Sequence, residues 1–377
     1  MINVPDGRSQ RSAARPLVLS CMITGAVLLA APVSADNPAG RRVDADGTIV
    51  MPATTVPPSH YASPEANAKL RPSPALDPST KPPVAILERR RFFGAFNDRL
   101  AAHMRTIYRV RLHKALLGGV PVEVVEPAEG VAASNVGRIL INLHGGAFMW
   151  GSGSGGEVEA IPIAATARMT VVTIDYRLAP ENRFPAASED VAAVYRALLK
   201  GHSPARIGLY GCSSGGILTA ESIAWFDKVG LPMPGAIGTF CGSAAQFSGD
   251  SMHVAPAITG DTRVEGQEMT EPYFAGADPS SPLVFPANSE RLMRRFPPTL
   301  LIAGSRDYSL SSLFYTQRLL TRIGVTAELH VWDGLPHAFL VDPDLPESRE
   351  AYSVIADFFG RHLAPSTSRT PHPNRRR

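Results

Sequence analysis

Along the middle of the chain two spacings of apolar positions take turns. Stretches with apolar residues three and four apart alternate with short, nearly continuous apolar runs, the pattern of a mostly parallel sheet covered by helices, an α/β fold. Ile86, Leu87, Phe93, Phe96, Leu100 and Met104 share one face of a long helix predicted from Val84 to about His113. Strands are predicted at Val120 to Val125, after a Gly118-Gly119 turn, and at Ile139 to Leu143, Thr170 to Ile174, Ile207 to Tyr210, Ala236 to Phe240, Thr299 to Ala303 and Ala327 to Val331. Helices fit Glu189 to Leu199, Ile217 to Val229, Ser311 to Ile323 and Ser348 to Arg361. Residues 242–295 break the rhythm: rich in Gly, Pro and Ser, they read as an inserted cap over the carboxyl edge of the sheet, where open α/β sheets bind ligands.

The ends of the chain behave differently. Residues 1–35 combine scattered arginines, an apolar stretch from Leu17 to Ala31 and the small residues Val33-Ser34-Ala35, which together predict a signal peptide cleaved after Ala35 and export to the periplasm or medium. The apolar stretch is shorter than the roughly 20 residues that span a bilayer, so no membrane span is expected in the mature form; the alternative is an uncleaved interfacial anchor. Residues 36–83 are dense in proline and predict an extended, solvated linker, and residues 364–377 a disordered basic tail. That leaves 84–363 as the folded domain.

Composition adds two bounds. With 377 residues, 44% of them hydrophobic, the chain can bury a large core without disulfides or metal. The net charge of +3 is concentrated at the ends, with +2 in the first 35 residues and +4 after Leu363, so the middle is at −3. No basic surface for nucleic acid is implied.

The chemistry starts at Gly211-Cys212-Ser213-Ser214-Gly215, a G-x-S-x-G pentapeptide between a predicted strand and a predicted helix. That is the setting of a nucleophile elbow, in which a sharp turn exposes the serine hydroxyl and small neighbours let backbones approach. If the acid and base follow the serine in the chain, most of the ten histidines drop out. His337 alone occupies a loop directly after the last strand, and Asp307 a loop after the strand before it. Asp333 competes with Asp307, but it lies four residues from His337 on the same strand-to-loop turn and more naturally shapes that turn. His144-Gly145-Gly146 follows an earlier strand; the N–H groups of Gly145, Gly146 and Ser214 are the candidate donors for an oxyanion hole.

These motifs resemble the hormone-sensitive-lipase-like bacterial esterases of the α/β-hydrolase fold. The resemblance rests on His144 to Phe148, on Asp175-Tyr176-Arg177-Leu178-Ala179-Pro180-Glu181 with Phe184-Pro185-Ala186-Ala187 and Glu189-Asp190, on Gly211 to Gly216, on Asp307 and on His337-Ala338-Phe339, and it covers roughly Val84 to Leu363. It implies a cap formed by about residues 84–113 and 242–295, and hydrolysis of an ester to an acid and an alcohol. Departures are Ala147 where the family commonly has a third glycine, Cys212 and Ser214 where it has an acidic residue and alanine, and Ser311-Ser312 where it has a second acidic residue. None removes a reacting atom.

Other features read as structural. Arg177 and Glu181 suit ion pairs that position loops, Ser188 with Glu189 and Asp190 suits a helix start, and Phe148, Met149 and Trp150 suit either an acyl or alcohol pocket or the core. Cys212 and Cys241 fall near the ends of neighbouring strands and are expected as two buried thiols, with a disulfide geometrically conceivable. No cluster has metal-ligand spacing and Gly151 to Gly156 lacks a phosphate-loop lysine, so no cofactor or metal is expected. Three functions remain: a carboxylesterase for short- to medium-chain esters; a lactonase or carbohydrate acetylesterase with the same serine, histidine and aspartate; and a non-catalytic binder on a hydrolase scaffold.

Overall fold

The computed structural model describes residues 40–69, 84–260 and 271–364. The predicted signal segment 1–35, part of the linker (36–39 and 70–83) and all but the first residue of the tail lie outside the described residues. The amino-terminal unit, up to Val56, contains a small antiparallel hairpin of β1 (Arg42–Val43) and β2 (Ile49–Val50). The rest of the chain forms a second unit that holds every candidate residue.

In that unit an eight-stranded sheet runs in the order β10-β9-β8-β7-β5-β6-β4-β3. The strands are β3 (Val110–Leu117), β4 (Val120–Pro127), β5 (Ile139–Leu143), β6 (Thr170–Ile174), β7 (Ile207–Cys212), β8 (Ala236–Phe240), β9 (Thr299–Arg306) and β10 (Ala327–Pro336). β5 to β10 pair in parallel, while β3 and β4 add an antiparallel hairpin at one edge. Successive residues of a strand point to opposite faces, and both faces here are apolar. Ile139, Ile141 and Leu143 of β5 enter one core and Leu140 the other, as Ile207 and Leu209 of β7 do against Tyr210 and Cys212. This is why the central strands read as unbroken apolar runs.

Helices cover both faces. α4 (Ala186–Leu198), α5 (Ser214–Val229) and α9 (Leu310–Arg322) contribute to one core. α3 (Ser154–Ala167), α10 (Pro346–His362) and α2 (Ile86–Ile107) contribute to the other. The insertion carries the short helices α6 (Ser251–Thr259), α7 (Glu271–Phe274) and α8 (Glu290–Met293). No helix among the described residues is long and apolar enough to cross a membrane.

Several expectations need correction. The first long helix stops at Ile107 rather than near His113, because Val110 to Leu117 pairs residue by residue with Pro127 to Val120 across the Gly118-Gly119 turn; tertiary pairing overrides the local helical spacing. α3 has no counterpart in the reading of the sequence. It is buried along most of its length, so it carries no one-faced apolar stripe, and Gly155, Gly156 and Pro162 interrupt its alanines and glutamates with poor helix formers. α4 starts at Ala186, two residues before Ser188, and the Ser188 hydroxyl does not cap it but donates to buried Glu221 at 2.6 Å. Residues 57–69, though mostly exposed, are not an extended linker: α1 (Pro64–Lys69) follows Ser63, whose N–H and hydroxyl donate to Glu347 at 2.5 and 3.0 Å. Asp333 accepts from Ser59 at 2.5 Å and from Ser305 at 2.9 Å, which holds this segment to β10.

Glu221 of α5 is fully buried, and its Oε1 accepts from Ser188 and, at 3.4 Å, from the Tyr273 hydroxyl of α7. Burial pushes its carboxyl up to about 8. The folded state therefore holds a proton that the unfolded chain has released above its ordinary value near 4.5, so this stabilisation, full in acid, is lost as pH rises to about 8. Glu221→Gln is expected to remove that dependence. Its melting temperature should exceed wild type by several degrees at pH 8.5 and match it more closely at pH 5.5; parallel curves for the two proteins would refute the assignment.

Candidate active site

Each candidate motif follows directly on a parallel strand: His144 on β5, Ser213 on β7, Asp307 on β9 and His337 on β10. The sheet thus gathers at one edge side chains that are remote along the chain. Ser213 takes φ +59°, a left-handed conformation uncommon outside glycine, between β7 and the first residue of α5. Gly215 makes the turn possible, since a Cβ there would lie 1.8 Å from the Leu143 carbonyl oxygen.

Ser213 is brought to His337, and His337 to Asp307. Oγ of Ser213 is 2.9 Å from Nε2 of His337, and Nδ1 of His337 is 2.8 Å from Oδ1 of Asp307. The same Oδ1 accepts from the N–H and hydroxyl of Ser309 at 2.8 and 2.7 Å. Burial alone would raise the Asp307 carboxyl; the facing His337 and the two Ser309 bonds outweigh it and hold it below the usual value, hence ionised near neutrality. Tyr308 stacks on the His337 ring at 4.2 Å between centroids, fixing its plane. Asp333, occupied by Ser59 and Ser305, is a turn anchor.

The candidate oxyanion loop departs from expectation at one residue. The Gly145 N–H points away from the serine and donates to Oε1 of Glu159 at 2.7 Å, so Gly145 is not a free donor. Gly146 adopts φ +122° with its carbonyl accepting from Met149 and Trp150, and Ala147 follows at φ +52°. Among the described residues no acceptor is assigned to the N–H groups of Gly146, Ala147 and Ser214. From the sequence Ala147 reads only as a departure from the family's third glycine; its role as a candidate donor comes from its left-handed backbone, which an L-residue does not signal locally. Glu159 and Arg90 escaped the reading of the sequence. Arg90 donates to the carbonyls of Met149 and Ala179 and to both carboxylate oxygens of Glu181, tying α2 to the loops.

The remaining features are supporting. His144 is buried, kept uncharged by that burial, and stacked on Tyr176 at 4.3 Å. Arg177 pairs with Asp190 and Glu189. Phe148 is core, stacked on Tyr273 at 4.2 Å, while Trp150 stacks on Phe93 of α2 at 4.6 Å. Cys212 and Cys241 are free, buried thiols. Their mutual hydrogen bond lowers Cys212, but burial and the Glu159 and Asp307 carboxylates outweigh it, and burial raises Cys241. Ligand atoms of Cys241, Asp307 and His337 lie within 4.8 Å of one another. A protonated thiol and an already paired histidine are poor metal ligands.

Residues 140–341 match the family model for the alpha/beta hydrolase fold, over half of the chain. The chain belongs to the α/β-hydrolase family. This hydrolase is 31% identical over 247 residues to an acetyl-hydrolase of Streptomyces hygroscopicus, covering 64% of the chain and 80% of that protein. Among solved structures it is similar to an esterase, E25, with TM-score 0.73 and 31% identity, covering 84% of this chain and 99% of that one. It is also similar to an esterase of the bacterial hormone-sensitive lipase family, with TM-score 0.66 and 27% identity, covering 76% and 94%. The hydrolase is thus a carboxylic ester hydrolase of the hormone-sensitive-lipase-like group, as its motifs suggest.

Proposed function

We propose that this hydrolase is a serine carboxylesterase acting on short- to medium-chain esters through an acyl-enzyme. The observation that carries the reading is the 2.9 Å approach of Ser213 Oγ to His337 Nε2. As Oγ bonds to the ester carbonyl carbon, Nε2 takes the hydroxyl proton and the carbonyl electron pair moves onto oxygen, facing the N–H groups of Gly146, Ala147 and Ser214. Collapse of this intermediate breaks the bond to the alkoxy oxygen, which leaves with the proton from Nε2. Water then repeats the sequence on the acyl-enzyme, with the same histidine as base. Asp307 holds Nδ1–H and stabilises the cationic ring at both stages.

Similarity to a protein named an acetyl-hydrolase supports a small acyl group. A panel of p-nitrophenyl esters from C2 to C12, run beside lactones and acetylated sugars, tests this: kcat/KM should be highest between C2 and C6. A maximum at C10 or longer would overturn the chain-length assignment. Failure of Ser213 to react with a fluorophosphonate would favour the non-catalytic binder.

A further inference from the structure

Among the described residues, no side-chain hydrogen bond runs directly between the turn that carries Ser213 and the loop that faces it. Cys212, just ahead of the serine, is a buried free thiol whose burial keeps it protonated. The approach is close: a Cβ built on Gly145 would stand 3.0 Å from the Cys212 carbonyl oxygen and 3.5 Å from Ser213 Cβ. Any slack between the segments would move the candidate donors relative to the nucleophile.

Glu159, one turn into α3, fills this gap. Its Oε1 accepts from the Gly145 N–H at 2.7 Å. Its Oε2 accepts from the Asn142 side-chain amide at 3.0 Å and from the Cys212 N–H at 3.3 Å. One carboxylate therefore holds the end of β5, the oxyanion loop and the residue before Ser213. Asn142 is itself oriented, since its Oδ1 accepts from Thr173 of β6 at 2.8 Å, which leaves its amide to face Glu159. We infer that Glu159 is a positioning residue for the acyl-transfer step, its ionised carboxylate setting the distance between the oxyanion loop and the nucleophile turn. The inference rests on the reading of Ser213 as nucleophile, but the role it assigns is separate.

All three partners are donors, so the clamp requires the ionised form. A proton on either oxygen would place a donor against a donor. Titratable groups facing Glu159 are Tyr176, Tyr210 and Cys212, all kept uncharged by burial, and none of its neighbours offers a counter-charge. Desolvation consequently raises the Glu159 carboxyl to about 7, against the pull of its three hydrogen bonds. Stability and catalysis then respond oppositely. The buried carboxyl makes the fold less stable as pH rises from its ordinary range to about 7, while the clamp forms, and activity rises, only as pH passes through about 7.

Glu159→Gln keeps the size and one acceptor but turns a donor toward Asn142 and Cys212. Its kcat for p-nitrophenyl acetate, per active site counted by burst titration, should fall about 10- to 100-fold, as for other small misplacements of catalytic groups. KM should stay within about threefold, since the clamp does not touch bound substrate. The acid limb of log kcat should be steeper in wild type than in the variant, by up to one proton, over the range in which Glu159 titrates around pH 7. Unchanged kcat per titrated site, even with fewer sites or a lower melting temperature, would reduce Glu159 to a structural residue. If Glu159→Gln does not fold, Glu159→Asp, whose shorter side chain cannot meet all three donors, is judged by the same kcat criterion; where Glu159→Gln folds, an acid limb equally steep in both proteins overturns the inference. Ser213→Ala run in parallel separates the two readings: activity surviving there sinks the nucleophile, whereas a dead Ser213→Ala beside a fully active Glu159→Gln sinks only the clamp.

Discussion

Ser213→Ala is expected to lower kcat for p-nitrophenyl acetate by roughly 10⁴- to 10⁶-fold while leaving the protein folded. The loss is large because the proposed mechanism bonds Oγ itself to the substrate, and it gives that role to no neighbouring side chain. Ser214 lies in the first turn of α5 and its hydroxyl makes no hydrogen bond to His337; the Ser213 hydroxyl alone meets Nε2, at 2.9 Å. The fold should survive, since alanine accepts φ +59° at about the same cost as serine and leaves only one acceptor, Nε2 of His337, without its partner. What remains should be the modest rate supplied by the oxyanion loop and binding. Turnover above about 1% of wild type, with contaminating esterase excluded by an active-site probe, would remove Ser213 from the mechanism.

The second large effect is expected at Asp307, and its size should depend on the replacement. Three donors converge on Oδ1: the His337 ring N–H and the N–H and hydroxyl of Ser309. Asp307→Ala strips all three of their acceptor, so the ring loses both orientation and counter-charge. A kcat loss of about 10⁴-fold should accompany a stability loss of about 1–3 kcal/mol from the buried Ser309 donors. Asp307→Asn can keep a carbonyl oxygen at the Oδ1 position and so retain the ring tautomer, losing mainly the charge; a smaller loss, about 10²- to 10³-fold, follows. Asp333→Asn should stay within about threefold, because that carboxylate serves Ser59 and Ser305. Equal activity for wild type and Asp307→Ala, or a collapse in Asp333→Asn instead, would reverse the assignment of the acid. The lowered Asp307 carboxyl also adds acid sensitivity: its stabilisation is present above the ordinary aspartate range and is lost as pH falls through the folded value.

Much of this architecture is legible in one dimension because its signals are local. β5, β6, β7, β8 and β9 are apolar on both faces and fall where continuous apolar runs stand, while the edge strand β10 falls on a shorter run that alternates with Glu328, His330 and Asp333. Ser213, Asp307 and His337 each sit directly after such a run, so their place at the carboxyl edge follows from strand direction alone. The errors share a cause. Val110 to Leu117 joins the sheet rather than the preceding helix because its partner strand β4 offers a full ladder of hydrogen bonds. Ser63 leaves the proline-rich segment for Glu347, a residue 284 positions away. Such contacts compete with local preference only after the chain has closed on itself.

Sequence alone settled the layering of the sheet, the motif at each strand end and the family to which they point, since each depends on residue type at short spacing. Tertiary structure alone decided how those motifs are joined. It turned the Gly145 N–H onto Glu159, put Ala147 into left-handed backbone, set Ser309 beneath Asp307 and bound α2 to the loops through Arg90. The physical reason is that a hydrogen bond is directional and short-ranged: which donor meets which acceptor is fixed by the packing of whole elements, and no residue carries that information by itself.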